Sequence, residues 1–220
     1  MTVPRYCLCF SLDGQSCAIV GGGAVAARKA EELLACGARL TVISPELVEP
    51  LRLEAGRGRL VWRPRRARRR DLRGLRLAVA ATNDRVVNQA VARWARLERV
   101  PVNVVDDPAG GDFTVPAVLR RGDLTIAVAT EGASPALAGR LRRHVAEQFG
   151  PEWGDIIAVV QQFRAEVRRR LPAAPLRRRE VMVRVSQLDL CHLFAQGGAQ
   201  GLAAHLRAHL EEQLRQEEVS

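Results

Sequence analysis

Short apolar runs alternate along the first half of the chain with segments whose apolar residues recur at helical spacing. Residues 17–20 (Cys, Ala, Ile, Val) form one such run and end in Gly21, Gly22 and Gly23. Val25, Ala26, Ala30, Leu33 and Leu34 then fall on one helical face, and Gly37 supplies the stop. Arg39 to Ile43 reads as a second strand, and Glu46 to Gly56 as a short helix entered from Pro45. Leu60 to Trp62 reads as a third strand and Leu75 to Ala81 as a fourth. A helix is predicted over residues 84–97, with Val87, Ala90, Val91 and Trp94 inward, and a fifth strand over residues 100–105. Strand and helix in alternation build a parallel sheet, because each crossover helix returns the chain to the end of the sheet from which the previous strand started.

After Pro108 the pattern changes. Phe113 to Leu119 and Leu124 to Thr130 read as two strands joined by a turn at Arg121, Gly122 and Asp123, and Ser134 and Pro135 begin a helix that runs to about Gly150. Beyond Pro151 the chain is amphipathic and helical, with helices predicted over 152–171, 176–196 and 199–217, separated by Pro172 and Pro175 and by Gly197 and Gly198. The predicted organisation is an α/β domain over 1–110, a strand-strand-helix region over 111–150 and a helical C-terminal domain over 151–220.

Composition narrows the classes. An apolar share of 47% describes an ordinary core-forming protein. No stretch reaches the roughly 18 uninterrupted apolar residues of a membrane span. The N-terminal stretch lacks the long apolar core of a secretory signal, so a cytoplasmic location is expected. Five cysteines, without a CxxC pair, fit reduced thiols, and Cys17 and Cys36 fall in apolar segments. The formal net charge of +10 would suit a polyanion, but all but one of the 34 Lys and Arg residues are Arg, the exception being Lys29. So lopsided an excess points to coding bias as much as to a ligand. His205 and His209 have the spacing of a metal clamp but no third ligand near in sequence, so no resident metal is expected.

The glycines carry the chemistry. Gly21, Gly23 and Ala26 match G-x-G-x-x-A between a strand and a helix. The first glycine permits a tight turn, the second lets backbone approach a diphosphate, and the small third residue lets helix and sheet pack closely. The helix start supplies N–H donors to the phosphates, which predicts a Rossmann-type dinucleotide site. Past the second strand, Ser44 can bond the ribose or its phosphate, whereas Glu46 comes late for the usual ribose acid. Arg28 and Arg39 are candidates to attract a 2′-phosphate, so these residues leave NAD and NADP open. Thr82 and Asn83 end the fourth strand, where such folds present ligand loops, and both residue types also suit helix capping. Asp106 and Asp107 end the fifth. Asp106 is the acid/base candidate, because a carboxylate at a strand terminus faces the crevice.

Five segments in order resemble the siroheme synthase N-terminal module, the precorrin-2 dehydrogenase and, in some members, sirohydrochlorin ferrochelatase family. They are residues 20–30, 80–84, 103–106, 112–117 and 129–136. The resemblance implies a Rossmann domain, a central dimerisation region, a helical C-terminal domain and a homodimer. It implies NAD as hydride acceptor, lying along Gly21, Gly22, Gly23, Ala24 and Val25, with Ser44, Pro45 and Glu46 beside the adenosine ribose and Thr82 and Asn83 further along. It implies Asp106 as the essential acid/base group. Thr130 falls where some members carry a serine in the cleft, a departure that puts any role requiring serine in doubt. Precorrin-2, with its many carboxylates, would be held by arginines, and Arg120, Arg121, Arg140 and Arg143 are the candidates. Ferrous iron would be a second substrate if chelation occurs here. The competing reading is a non-enzymatic NAD(H)-sensing regulator that grips nucleic acid through basic clusters at 63–70 and 177–179. The tail shows no helix-turn-helix with a basic recognition helix, so nucleic acid is not an expected partner.

Overall fold

The computed structural model describes residues 5–218, without the side chains of 216–218. The chain divides into two compact units, the first ending at Val115 and the second beginning at Pro116.

The first unit is a five-stranded parallel sheet. In sequence its elements are β1 (Ser16–Val20), α1 (Ala24–Ala35), β2 (Arg39–Ile43), α2 (Glu49–Gly56), β3 (Leu60–Arg63), β4 (Leu77–Ala80), α3 (Arg85–Leu97) and β5 (Val102–Val104). Their order across the sheet is β3-β2-β1-β4-β5. The central strands β1 and β4 are apolar almost throughout because both faces are covered. One face packs Ile19, Leu40, Val42 and Val79 with Ala26 and Ala30 of α1 and Leu51 of α2. The other packs Ala18, Val20, Ala78 and Val102 with Val91, Ala92 and Ala95 of α3. Edge strand β3 is exposed after Leu60. From the neighbours β1 and β4 the chain leaves toward opposite sides, α1 leading to β2 and α3 to β5, so the crevice beyond their C-terminal ends is the switch point of the sheet.

Strand ends shift by one or two residues from the pattern-based expectation, and two further details differ. Helix α2 begins at Glu49 rather than Glu46, with Pro50 rather than Pro45 in its first turn. Residues 44–48 stay outside the helix because Leu47 is buried and the Val48 N–H donates to the Gly22 carbonyl (2.8 Å). The buried face of α3 runs through Asn88, Val91, Ala92 and Ala95, with Val87 and Trp94 at its margin.

The basic stretch 63–70 is only partly the solvated connector its composition suggests. A 3-10 turn over Arg69–Leu72 buries Asp71, whose side chain is 1% exposed. Its carboxylate accepts from Arg63 (2.9 Å), twice from Arg65 (2.7 Å each) and from the Arg68 backbone N–H (2.8 Å). The Arg65 guanidinium, above all, pulls the Asp71 carboxyl down to about 2. A depressed folded-state value means the group stabilises the fold above about pH 4 and loses that contribution between about pH 4 and pH 2. Asp71→Asn is expected to cost about 2 kcal/mol at neutral pH. The difference should vanish near about pH 2 when urea unfolding midpoints are compared. An undiminished gap in acid would contradict the ion-pair account.

The second unit begins with an antiparallel pair, β6 (Ala117–Arg121) and β7 (Leu124–Val128), turning at Gly122 with φ +52°. Helix α4 (Pro135–Gln148) follows, with the Ser134 hydroxyl accepting from the Leu137 N–H at its start. Helices α5 (Trp153–Arg170), α6 (Pro175–Ser186) and α7 (Leu190–Glu218) enclose Ile156, Phe163, Val181, Leu202, Leu206 and Leu210. The helix expected over 176–196 stops at Ser186, because Asp189 accepts from the His192 N–H and starts α7. Within α7 the backbone is non-helical at Gly198 (φ +60°, ψ −158°), which divides it into two helical segments where the glycine pair predicts a break. Among the described residues no helix is long and apolar enough to cross a membrane.

Candidate functional site

The glycine turn after β1 is held by backbone on two sides. Gly21 has φ +122°, and a Cβ there would lie 2.2 Å from the Ala81 carbonyl oxygen, so only glycine lets β1 and β4 end side by side. At Gly22, the position the motif leaves variable, a Cβ would lie 1.9 Å from the Glu46 carbonyl oxygen and 2.8 Å from Ser44 Oγ. Segment 44–48 is thus strapped across the glycine turn, and Trp62 holds the strap from outside by donating its indole N–H to the Ser44 carbonyl (2.9 Å). Sequence reasoning missed this constraint, since the clash comes from a segment more than twenty residues away.

Gly23 is different. It is the N-cap of α1, no side chain caps the helix, and a Cβ on it would meet nothing within 4 Å. The first-turn N–H groups of Ala24, Val25 and Ala26 therefore lie at an uncapped positive helix end with open space before it. A helix end of this kind can hold a diphosphate, and the residues present fit a dinucleotide. Fully buried Ala26 fills the close-packing role of the motif.

Around the same sheet edge the other candidates take distinct places. Ser44 is half-buried, while Pro45 and Glu46 are exposed beyond β2. Arg39, considered for a 2′-phosphate, lies at the opposite end of β2 and donates to Ser16 Oγ (3.2 Å), about 17 Å of strand away from Ser44. It belongs to the far edge of the sheet. Arg28 is exposed on α1.

After β4, Thr82 is half-buried and Asn83 exposed. Asp84, rather than Asn83, caps α3, accepting from the N–H groups of Val86 and Val87. Thr82 is fixed by buried Asn88, which sequence analysis passed over. The Asn88 side chain accepts from the Thr82 N–H (3.1 Å) and hydroxyl (2.6 Å) and donates to its carbonyl (2.9 Å). One polar residue on the apolar face of α3 thereby sets the loop at the crevice. Asn88→Leu would leave the Thr82 backbone groups unpaired. Dinucleotide affinity is expected to fall about tenfold by calorimetry, with the helix content unchanged.

Asp106 lies two residues past β5 in a turn, exposed, with φ +61°. Its carboxylate makes no hydrogen bond or ion pair among the described residues. Aspartate tolerates this left-handed backbone better than most residues, and such conformations concentrate at functional sites. Asp107, by contrast, accepts from the Gly110 N–H (3.0 Å) and closes the turn. The turn is anchored where Asp112 pairs with Val102 and buried Asn103 donates to the Phe113 carbonyl. With β4 between β1 and β5, Asp106 stands two strand spacings, about 10 Å, across the crevice from the glycine turn.

The remaining candidates belong to the second unit. Thr130 Oγ1 bonds Ser134 at the start of α4. Arg121 donates to the Phe149 carbonyl at the end of α4 (3.0 Å) and so acts as a helix clasp. Arg120 is exposed on β6, and Arg140 and Arg143 are exposed about one turn apart on α4. Among the described residues, no cluster of three or more His, Cys, Asp or Glu side chains could hold a metal ion.

Comparison with known proteins gives concordant results. Residues 8–117 match the family described as putative NAD(P)-binding, and residues 121–148 match the family described as sirohaem biosynthesis protein central. The siroheme synthase of Chromobacterium violaceum is 43% identical over 168 residues, covering 76% of this chain and 36% of that protein. That of Methylococcus capsulatus is 38% identical over 201 residues, 91% of this chain and 42% of the relative. The chain thus spans about two fifths of the length of the curated relatives it matches. Among solved structures, SirC, a precorrin-2 dehydrogenase, superposes with a TM-score of 0.73 at 23% identity, over 93% of this chain and all of that one, which establishes a shared fold.

Proposed function

This chain belongs to the putative NAD(P)-binding family and resembles the N-terminal module of siroheme synthases, and on that premise we propose that it oxidises precorrin-2 to sirohydrochlorin with NAD. The observation that carries the reading is the pairing, on one sheet edge, of an uncapped glycine turn with an exposed carboxylate on strained backbone. Bound NAD supplies a hydride acceptor. Gly23 and the first turn of α1 hold its diphosphate, Ser44 to Glu46 border the adenosine ribose, and Thr82 and Asn83, braced by Asn88, border the other ribose. Asp106 takes the proton that leaves the macrocycle as the hydride departs, so that precorrin-2 loses two electrons and two hydrogens in all. The displacement of Arg39 to the far edge removes one partner for a 2′-phosphate and favours NAD over NADP.

Arg120, Arg140 and Arg143 are proposed to meet the substrate carboxylates, with Arg121 serving α4 and Thr130 bordering the substrate. The active form is proposed to be a cytoplasmic homodimer. Ferrous iron enters this reading as a substrate. Its insertion expels two pyrrole protons, for which Asp106 is again the open acceptor. The test is incubation of the chain with precorrin-2 and NAD, following NADH by its near-ultraviolet absorbance, then with ferrous iron added. NADH formed mole for mole with sirohydrochlorin is the expected result. Dinucleotide binding without any tetrapyrrole oxidation would refute the reading. Siroheme appearing only with iron and the intact chain would extend it to chelation.

A further inference from the structure

A second basic surface lies in the helical bundle, lined by none of the residues assigned above. Between α5 and α6 runs a groove of about 540 Å³, within the size range of small-molecule sites. Arg164 and Arg168 project from successive turns of α5, Arg178 and Arg179 from α6, and Met182 and Val183 supply an apolar floor. No carboxylate lines it among the described residues. Ion pairs elsewhere in the bundle show that acids are at hand: Arg170 pairs with Glu211, and Arg207 with Glu166. Arg164, Arg168 and Arg179 have no such partner among the described residues. Arg178 is already oriented, donating to the carbonyls of Leu171 and Pro172 (3.2 and 2.9 Å). Val183 is 48% exposed, so apolar surface and unpaired guanidinium groups share one face.

An uncompensated arginine rim raises the local affinity for anions, planar guanidinium groups favour carboxylates, and an exposed apolar floor favours a ligand with a hydrophobic body. We propose that the α5–α6 groove is a second binding site for a polycarboxylated tetrapyrrole, gripped by its carboxylates on Arg164, Arg168 and Arg179 and resting its ring on Met182 and Val183. This rests on the tetrapyrrole reading above for its choice of ligand, but not on Asp106 or the dinucleotide site. Such a site would hold substrate or product on the protein between chemical steps.

Calorimetric titration of the full chain with uroporphyrin, a tetrapyrrole with a carboxylate on every peripheral side chain, tests the site. Two molecules bound per chain are expected, one of them lost in Arg164→Glu/Arg179→Glu. The remaining groove affinity should fall about a hundredfold, tenfold for each lost charge-assisted contact. Arg169→Glu, on α5 outside the groove, matches the charge change of Arg164→Glu alone and should retain both sites, whereas Arg164→Glu should weaken the groove about tenfold. Citrate, which has carboxylates but no ring, should fail to displace the groove-bound porphyrin. Identical titrations for wild type and the double variant would overturn the proposal, as would equal losses in Arg169→Glu or displacement by citrate. The oxidation assay separates this from the reading above. Turnover with a silent groove leaves the dehydrogenase standing alone, whereas groove binding without turnover refutes the dehydrogenase and keeps the site.

Discussion

Gly22→Ala is expected to abolish dinucleotide binding and destabilise the first unit, whereas Gly23→Ala should abolish binding alone. The two glycines are neighbours with opposite surroundings. A methyl group on Gly22 would lie 1.9 Å from the Glu46 carbonyl oxygen, which belongs to a strap held by backbone bonds and cannot rotate away. The strap or the turn must move, at a cost of about 3 kcal/mol by analogy with overpacked cores. On Gly23 the same methyl group meets no protein atom, and φ −86° with ψ −174° is backbone that alanine adopts freely. The ligand-free Gly23→Ala chain should therefore melt close to the wild-type temperature, the restriction of the unfolded chain offsetting alanine's poorer fit as an N-cap. Its defect should appear only with ligand. NAD at about a hundred times its dissociation constant stabilises a native protein by about 2.7 kcal/mol, and that gain should vanish in the variant. Thermal unfolding of both variants with and without NAD reads all four values. A Gly23→Ala chain that keeps its full NAD-dependent gain would show that the diphosphate does not rest against the start of α1.

The contrast between these glycines also marks where sequence reading reaches its limit. Apolar periodicity and the glycine spacing place β1, the turn and α1, because helix and sheet faces follow directly from which residues must be buried. The order of strands and helices in the first unit was legible for the same reason, as were the strand pair and helix that follow it, although the units divide between Val115 and Pro116. Backbone-to-backbone approach leaves no such mark. Gly22 sits at a variable motif position, and its crowding comes from Glu46. Asn88 and Asp71 were hidden by their residue types. A polar side chain on an apolar face, or an acid among arginines, reads as solvent-facing unless its partners are known, and here those partners are Thr82 and the pair Arg63 and Arg65. The start of α2 failed similarly. Pro45 and Pro50 are both compatible with a first turn, and burial of Leu47 decides between them. Asp106 stood out by position, but its left-handed backbone appears only in three dimensions.

That backbone dictates how the proposed proton-transfer role of Asp106 must be tested. Alanine at φ +61° would add about 1–2 kcal/mol of steric strain, so lost activity could reflect a shifted turn rather than a missing carboxylate. An asparagine at the same position would keep the size and the tolerance for this conformation and remove only the proton-accepting group, which makes Asp106→Asn the informative change. Its expected effect is a fall in kcat of about a hundredfold to ten-thousandfold, the usual contribution of a positioned acid or base. NAD-dependent thermal stabilisation should be unchanged, because Asp106 lies two strands from the diphosphate cradle. If iron insertion uses the same proton acceptor, chelation should fall with dehydrogenation; if it proceeds at wild-type rate, the two reactions use different groups. Full dehydrogenase activity in Asp106→Asn would remove the carboxylate from the mechanism while leaving the dinucleotide site intact. The proton would then have to leave to solvent or to another base, and the arginines proposed to hold the substrate lack a basic lone pair at any working pH and could not accept it.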